Sequence, residues 1–578
     1  FIFILEQRRK KKKNQFLFPS FKNIYYISYS NMNIFIGKLA IIFIFHHFLF
    51  LYCYFYYIIS FTIEFSIFTN IMLLLTLVCI PLLGIVAIAP SYRTEAHRYI
   101  TNLPANVDPD THIKLIALVI SIITFLYSLI LLLLFDPTTP DYQFTFHLLN
   151  KHSHTFSSDF QMGVDGISIY FVVLTTFLFP ISFLASWKIS SSTTLNGNKY
   201  NVKFYLCTML LLETLLILLF IVTDIMLFYI FFESVLIPLF LIVGIWGSSA
   251  NRIRAAFLLF LFTLAGSLFM LLSILAIYYN VGSTDFQLIQ QYSFDPSIQK
   301  ILWAGIFISM AIKFPLWPLY SWLYRAHAEA PIAGSILLAG IVLKMATYGS
   351  LRVLLQFLPD ASYYFSPLVQ TMAIMSIIYA SLATLRQTDF KALVAYSSIG
   401  HMGIIALGLF SNTIQGIEGS IILSIAHGFV SPALFILVGA VLYDRFHTRT
   451  IRYYRGVVTY MPIFSVLFFL FTIFNAGIPL SANWIGELLC LIGTYQMNPI
   501  VAILGATGIV LSAAYSIWLY NRITFGQYSQ YLNFTKDVNR REFHLILPLL
   551  FLTILVGIMP NTIIDNIDVS VTTLLYQV

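Results

Sequence analysis

Residues 301–352 read ILWAGIFISMAIKFPLWPLYSWLYRAHAEAPIAGSILLAGIVLKMATYGSLR: two apolar runs, each carrying one lysine near its middle. A membrane-crossing helix needs about 20 mostly apolar residues, and both runs reach that length. Lys313 and Lys344 therefore fall where a charge costs about 2.5–3.5 kcal/mol on insertion scales. Pro315 and Pro318 come just after Lys313 and remove helix hydrogen bonds beside the ionisable group. Irregular backbone at membrane depth is tolerated only inside protein or along a wet cavity. A buried lysine next to a broken helix is the arrangement expected of an ion path.

The rest of the chain has the same character. Of 578 residues, 59% are hydrophobic and 10% charged, and the mean hydropathy is +0.86. Soluble domains carry roughly 25% charged residues. The apolar runs have helix rather than alternating-strand length, so the expected fold is an all-α polytopic membrane protein. Cys53, Cys79, Cys207 and Cys490 lie singly in apolar runs and read as packing residues. No Gly-rich phosphate loop, nucleotide fingerprint or nucleophile triad appears.

The net charge of +8 is concentrated at one end. Residues 1–71 contribute +6, through Arg8, Arg9, Lys10 to Lys13, Lys22 and Lys38 against Glu6 and Glu64. The remaining +2 leaves no basis for a nucleic-acid partner. Residues 1–71 also contain one Gly, one Ala, no Val and no Trp, whereas ordinary usage resumes at Met72. They read as an extension of doubtful status, in the manner of translated upstream sequence; a presequence is the other option, favoured by the basic residues but not by the continuous Phe/Ile/Tyr run from Ile34 to Phe68, and function is expected after Met72.

From Met72 fourteen apolar segments follow, at about 72–90, 113–135, 164–187, 203–222, 225–246, 255–279, 301–323, 331–357, 366–385, 391–410, 418–442, 458–495 (broken), 499–522 and 543–564. Odd-numbered loops are basic: Arg93 and Arg98; Lys188, Lys199 and Lys203; Arg252 and Arg254; Arg325; Arg386 and Lys391; Arg445 to Arg455; and Arg522, Lys536, Arg540 and Arg541. Even-numbered loops carry Asp136, Asp141 and Asp159; Asp224; Asp285 and Asp295; Asp360; Glu418; a neutral turn; and Asp565 and Asp568. By the positive-inside rule the basic loops face the compartment of synthesis, and both ends of the 72–578 core lie on the opposite face.

Segment 12, FNAGIPLSANWIGELLCLIG (474–493), repeats the device of segment 7: a Pro/Gly break and then a membrane-embedded charge, Glu487. Two such segments five helices apart suggest two inverted five-helix repeats, helices 4–8 and 9–13. The expected division is helices 1–3 over 72–202, the repeats over 203–357 and 358–522, and a C-terminal loop and helix 14 over 523–578.

The ionisable residues inside apolar runs are Glu213, Glu233, Lys313, Lys344, His401, His427 and Glu487, on seven different segments. One such residue reads equally well as a polar group fixing helix register; seven point to a proton path. Glu213 is the weakest of them, because ETLL on an apolar helix also reads as an interhelical contact. Burial disfavours a charged ammonium and a nearby carboxylate favours it. A shift of Glu233 relative to Lys313 would therefore load or unload the lysine. Carrying one charge against 100 mV costs about 2.3 kcal/mol, within reach of such changes. Histidine titrates near neutral pH and suits intermediate positions. A bis-histidine haem pair at His401 and His427 is the competing reading, weakened by the presence of only one such set. His46–His47 lie in the doubtful extension, and His152–His154 (KHSH) read as a solvated or weakly metal-binding loop. RAHAEAP (325–331) reads as a turn with Pro331 starting the next helix, and RQTDFK (386–391) as a charged turn at a helix start.

FYIFFESVLIPLFLIVGIWG (228–247), KFPLWPLYSWLYRAHAEAPIAGSILLAGIVLKMATYGSLR (313–352), LRQTDFKALVAYSSIGHMGIIALGLF (385–410) and IAHGFVSPALFILVGAVLYDR (425–445) resemble the antiporter-like membrane-arm subunits of NADH-ubiquinone oxidoreductase, respiratory complex I. The resemblance covers about residues 72–578. It implies a fourteen-helix fold and a proton channel, with Glu233 and Lys313 paired beside the first broken helix. It also implies Lys344, His401 and His427 on the central hydrophilic axis and Glu487 as the exit-side acid. No cofactor is implied on this chain; NADH, FMN, iron–sulfur clusters and ubiquinone would belong to sibling subunits. The implied partners are other membrane-arm subunits, including neighbouring antiporter-like chains, and the lipid bilayer. The implied location is the mitochondrial inner membrane, with both core ends toward the intermembrane space. A subunit of a multisubunit Na⁺/H⁺ antiporter, which shares the buried lysines, and a purely structural scaffold remain the alternatives.

Overall fold

A computed structural model describes residues 63–89, 109–148, 160–189 and 202–576. Most of the 1–71 stretch, with Cys53 and His46–His47, lies outside the described residues. So do Arg93, Arg98, His152–His154, Asp159 and Lys199. Asn70–Val578 forms one compact unit.

Each apolar segment becomes a helix or a helix pair. In order they are α1 (Ile63–Ile88), α2 (Pro109–Leu134), α3 (Gly166–Ala185), α4 (Val202–Ile221), α5 (Ile225–Trp246), α6 (Arg252–Val281), α7a (Pro296–Lys313) and α7b (Ser321–Glu329). Then come α8 (Ile332–Leu355), α9 (Pro359–Leu385), α10 (Phe390–Leu409), α11 (Ile414–Phe446), α12a (Pro462–Asn475), α12b (Ala482–Met497), α13 (Pro499–Thr524), α14 (Arg540–Ile558) and α15 (Asn561–Leu575). Among the described residues 11 helices are long and apolar enough to span a membrane, and α12a and the Met72–Ile88 part of α1 are apolar but shorter. The all-α expectation meets one local exception, an antiparallel ribbon of β1 (Gln143–Leu148) and β2 (Phe160–Val164).

Helix starts follow from side-chain chemistry. Asp165, Asp224, Asp389, Thr413 and Ser481 cap α3, α5, α10, α11 and α12b by accepting first-turn backbone N–H groups, which have no partner within the helix. α7a, α9, α12a and α13 begin with proline, whose missing N–H costs nothing there.

Loops of like parity meet each other. On one face Ile225 N donates to Thr284 O and Phe286 N to Thr223 O, joining the loops after α4 and α6. On the other face Phe390 N donates to Arg449 O and Ile451 N to Thr388 O, joining the loops after α9 and α11. The same two-bond bridge thus recurs five helices on, next to the N-caps Asp224 and Asp389.

Four local expectations are corrected. Glu418 lies within α11 and is buried, not in a loop. Lys391 is in the first turn of α10 and buried. Arg325 to Glu329 are the last turns of α7b rather than a turn, because Trp322, Leu323 and Ala326 give that stretch a buried helical face. Asp565 and Asp568 sit on α15, which is tied to α3 by Tyr170 Oη donating to Thr562 O at 2.8 Å.

Burial orders the bundle. α8, α10 and α11 are enclosed along nearly their whole length, whereas only 28% of α2 and 33% of α13 is buried. The charged residues of the central helices therefore stand farthest from lipid.

Candidate proton-translocation site

Lys344 sits on α8 in a short α-helical piece, Leu343–Gly349, between two π-helical stretches, Leu338–Val342 and Ser350–Leu355. Such wide turns are frequent at functional sites. The side chain is fully buried. Its Nζ donates to Ala339 O at 2.5 Å and lies 2.7 Å from Nδ1 of His427 on α11. Small residues permit this crossing: a Cβ on Gly428 would stand 3.3 Å from Gly340 O and 2.9 Å from a Leu174 methyl.

His401 on α10 follows, its ring centre 5.7 Å from that of His427. Its Nδ1 is 2.9 Å from Glu487 Oε1 on α12b, and its Nε2 is 3.1 Å from Asn475 Oδ1 at the end of α12a. The break in helix 12 shapes this corner. Gly477 has φ +71, and its bare Cα leaves room for the Glu487 carboxylate, which a Cβ would strike. Lys344, His427, His401 and Glu487, far apart in sequence, thus form one buried line across four helices.

Lys313 and Glu233 form a second cluster, arranged differently from expectation. Helix 7 breaks at Lys313, and Trp322 Nε1 of α7b donates back to Ile312 O at 3.0 Å. Lys313 Nζ donates to Phe232 O at 2.9 Å and lies 3.2 Å from the centre of the Phe232 ring. No ion pair joins it to Glu233, whose buried Oε1 has no hydrogen-bond partner among the described residues. α5 is irregular at Val235 because Pro238 leaves the Ser234 carbonyl without its N–H. Lys313 takes its hydrogen bond one residue short of the acid. Glu213 stands apart: on α4 it accepts from Thr124 Oγ1 at 2.7 Å, with its other oxygen unpartnered among the described residues.

Two residues that the sequence reading placed in turns also belong here. His327 on α7b is fully buried, stacked 4.8 Å from Phe435, with neither ring nitrogen hydrogen-bonded among the described residues. Lys391 Nζ donates to Ala330 O at 2.5 Å and lines a cavity of about 220 Å³ with Lys188, Ser248, Tyr443 and Arg449. The cavity is lined by residues of the odd-numbered loops and of the adjoining helix ends, with Lys391 from α10 and Gly439 and Tyr443 from α11. Carboxylates balance its cations: Arg449 faces Asp389 at 3.5 Å and Glu329 at 3.7 Å, and Lys188 pairs with Asp444 at 2.9 Å. The apolar spacing of Trp322, Leu323 and Ala326 was the available signal for His327; its charged surroundings masked it. On the acidic-loop side Arg352 of α8 pairs with the α3 cap Asp165, both buried, between the rings of Tyr142 and Tyr348.

A helical membrane bundle with two broken helices and a buried file of Lys, His and Glu side chains is an ion-translocating membrane subunit. Residues 222–512 match the family described as NADH:quinone oxidoreductase/Mrp antiporter, TM. The chain is 60% identical to NADH-ubiquinone oxidoreductase chain 4 of Mycosarcoma maydis, over 87% of this chain and all of that one. It is 47% identical to chain 4 of Arabidopsis thaliana, over 80% of this chain and 91% of that one. A chain of respiratory complex I from Thermus thermophilus superposes with TM-score 0.74 at 26% identity, over 86% of this chain and 99% of that one. A chain of an archaeal membrane-bound sulfane sulfur reductase shares the fold at TM-score 0.72 and 19% identity, over 87% and 99% of the two chains. The chain belongs to the NADH-ubiquinone oxidoreductase chain 4 family, and is a multi-pass inner-membrane subunit of the H⁺-translocating NADH:ubiquinone reductase.

Proposed function

We propose that this subunit carries protons along the buried file, driven by electron transfer from NADH to ubiquinone on sibling subunits. The observation that carries the reading is the unbroken burial of Lys344, His427, His401 and Glu487 within contact of one another. A proton arrives from the basic-loop face through the cavity at Lys391 and passes His327 to Lys344. It moves by His427 and His401 to Glu487 and leaves on the acidic-loop face. Glu233 and Lys313 form the switch beside the first break, where displacement of the acid changes the cost of charging the lysine. The basic loops face the matrix and both ends of the 72–578 core face the intermembrane space, a reading that the charge bias of the loops supports. The recurring backbone bridge at Asp224 and Asp389 supports the inverted repeats of helices 4–8 and 9–13. Redox cofactors are placed on sibling subunits.

Lys344→Met in the assembled complex tests the reading. Turnover with quinone and proton uptake into sealed vesicles should both fall about tenfold, equivalent to about 1.4 kcal/mol of barrier. Electron transfer from NADH to an artificial acceptor should persist. Unchanged proton flux would sink it. The family description also names Mrp antiporters; flux following a sodium gradient, without co-purifying flavin and iron–sulfur subunits, would favour that function.

A further inference from the structure

Proton transfer along the file meets one interruption. Lys344 and His427 touch, and His401 and Glu487 touch, but no hydrogen bond joins the two histidines, whose ring centres are 5.7 Å apart. A ring that relays a proton must receive it on one nitrogen and release it from the other. The Nδ1 of His401 is taken by Glu487, and its Nε2 by Asn475 at 3.1 Å. Whichever end of the amide faces it, Nε2 is engaged by a group that does not pass protons on. His401 has no nitrogen left for His427.

Asn475 is built into the break. It is the last residue of α12a and is buried. The chain beyond it runs through positive-φ Gly477 and Leu480 before α12b begins at Ala482. Lys313 likewise ends α7a at the first break, so the second break presents an amide where the first presents an ammonium. The other ionisable groups facing this corner are Glu487 of α12b, His427 of α11 and Tyr515 of α13.

We propose that Asn475 is a gate: it holds His401 Nε2 and keeps the Lys344–His427 half of the file separate from the His401–Glu487 half. When α12a shifts and the amide withdraws, the neutral ring carries its proton on Nδ1 toward the Glu487 carboxylate and offers the Nε2 lone pair to His427. One proton arrives at Nε2 as one leaves Nδ1, so the ring gains and loses one proton per passage. Asn475 is a positioning residue that prevents protons from slipping through out of step with electron transfer. The inference rests on the proton file proposed above.

Asn475→Ala and Asn475→Asp should move the complex in opposite directions. Asn475→Ala should assemble and keep quinone turnover, yet lose this subunit's share of protons pumped per NADH and leak protons down an imposed gradient in sealed vesicles. Asn475→Asp places a carboxylate against the ring, holds it as imidazolium, and should lower turnover and flux together without a leak. If Asn475→Ala fails to assemble, Asn475→Ser is read by the same assays. Wild-type proton ratio and leak in each assembled variant would overturn the gate, as would a fall in assembled complex alone. Lys344→Met run in parallel separates the two ideas. A flux defect there with normal Asn475 variants removes the gate only; normal flux in Lys344→Met removes the file on which the gate depends.

Discussion

Lys344 Nζ and His427 Nδ1 stand 2.7 Å apart, and both side chains are buried. That contact needs one N–H and one lone pair: Lys344, as ammonium or amine, donates to the Nδ1 lone pair, or an imidazole N–H donates to a neutral amine. Moving one proton between the two nitrogens therefore reverses the direction of the bond without separating the pair. Ala339 O, which accepts from Lys344 Nζ at 2.5 Å, stabilises the state with the ammonium.

The arrangement around Lys313 makes Glu233→Gln informative. Because Lys313 is bonded to the Phe232 carbonyl and not to the acid, loss of the carboxylate leaves no broken ion pair, and the complex should assemble. Quinone turnover and proton uptake per complex should fall about tenfold, a barrier increase of about 1.4 kcal/mol, while electron transfer to an artificial acceptor stays normal. Reduced assembly with full turnover of each complex would assign Glu233 to stability alone.

Gly477→Ala adds a methyl where the Glu487 carboxylate sits, at a φ of +71. The backbone conformation alone costs an alanine about 1–2 kcal/mol. Proton flux per complex should drop because the carboxylate is pushed from His401. The Gly477→Ala/Glu487→Gln double variant should be no slower than Glu487→Gln alone, since both act on the same contact. Additive losses in the flux assay would show that Gly477 acts elsewhere.

Arg352 and Asp165 form a buried ion pair that locks the end of α8 to the cap of α3. Removing one partner leaves an uncompensated buried charge, at about 3–5 kcal/mol. Arg352→Gln should lower the thermal stability and the amount of assembled complex. Arg352→Gln combined with Asp165→Asn should recover part of both. Unfolding curves and native-gel yields of the three variants provide the check.

Sidedness is open to labelling. Single cysteines at Asp295 and Arg455 belong to loops of opposite parity and should react with impermeant reagent from opposite faces, Arg455 from the matrix. Reaction of both from one face would put the helix order out of phase.

The candidate site was half legible in the sequence. A lysine, histidine or acid inside an apolar run declares itself through its insertion cost, so Lys313, Lys344, His401, His427, Glu487, Glu233 and Glu213 could be named from their positions in the sequence. His327 and Lys391 could not. They lie beside Arg325, Glu329 and Asp389, where a charged stretch reads as a loop, and only packing shows that α7b and the first turn of α10 turn inward. Asn475 was equally hidden, because an amide carries no charge penalty to betray it.

Which elements cross the membrane follows from the chain itself: apolar length, loop charge parity and the proline breaks are local properties that each segment carries wherever it packs. Partnership is different. That Lys344 meets His427, that His401 lies between Glu487 and Asn475, and that Lys313 bonds to the Phe232 carbonyl short of Glu233 depend on how glycines and π-helical turns set helix spacing and rotation. A helix turned by one residue, about 100°, would point the same side chains at lipid. Those angles are decided by the packing of all the helices together, and so only in the tertiary structure.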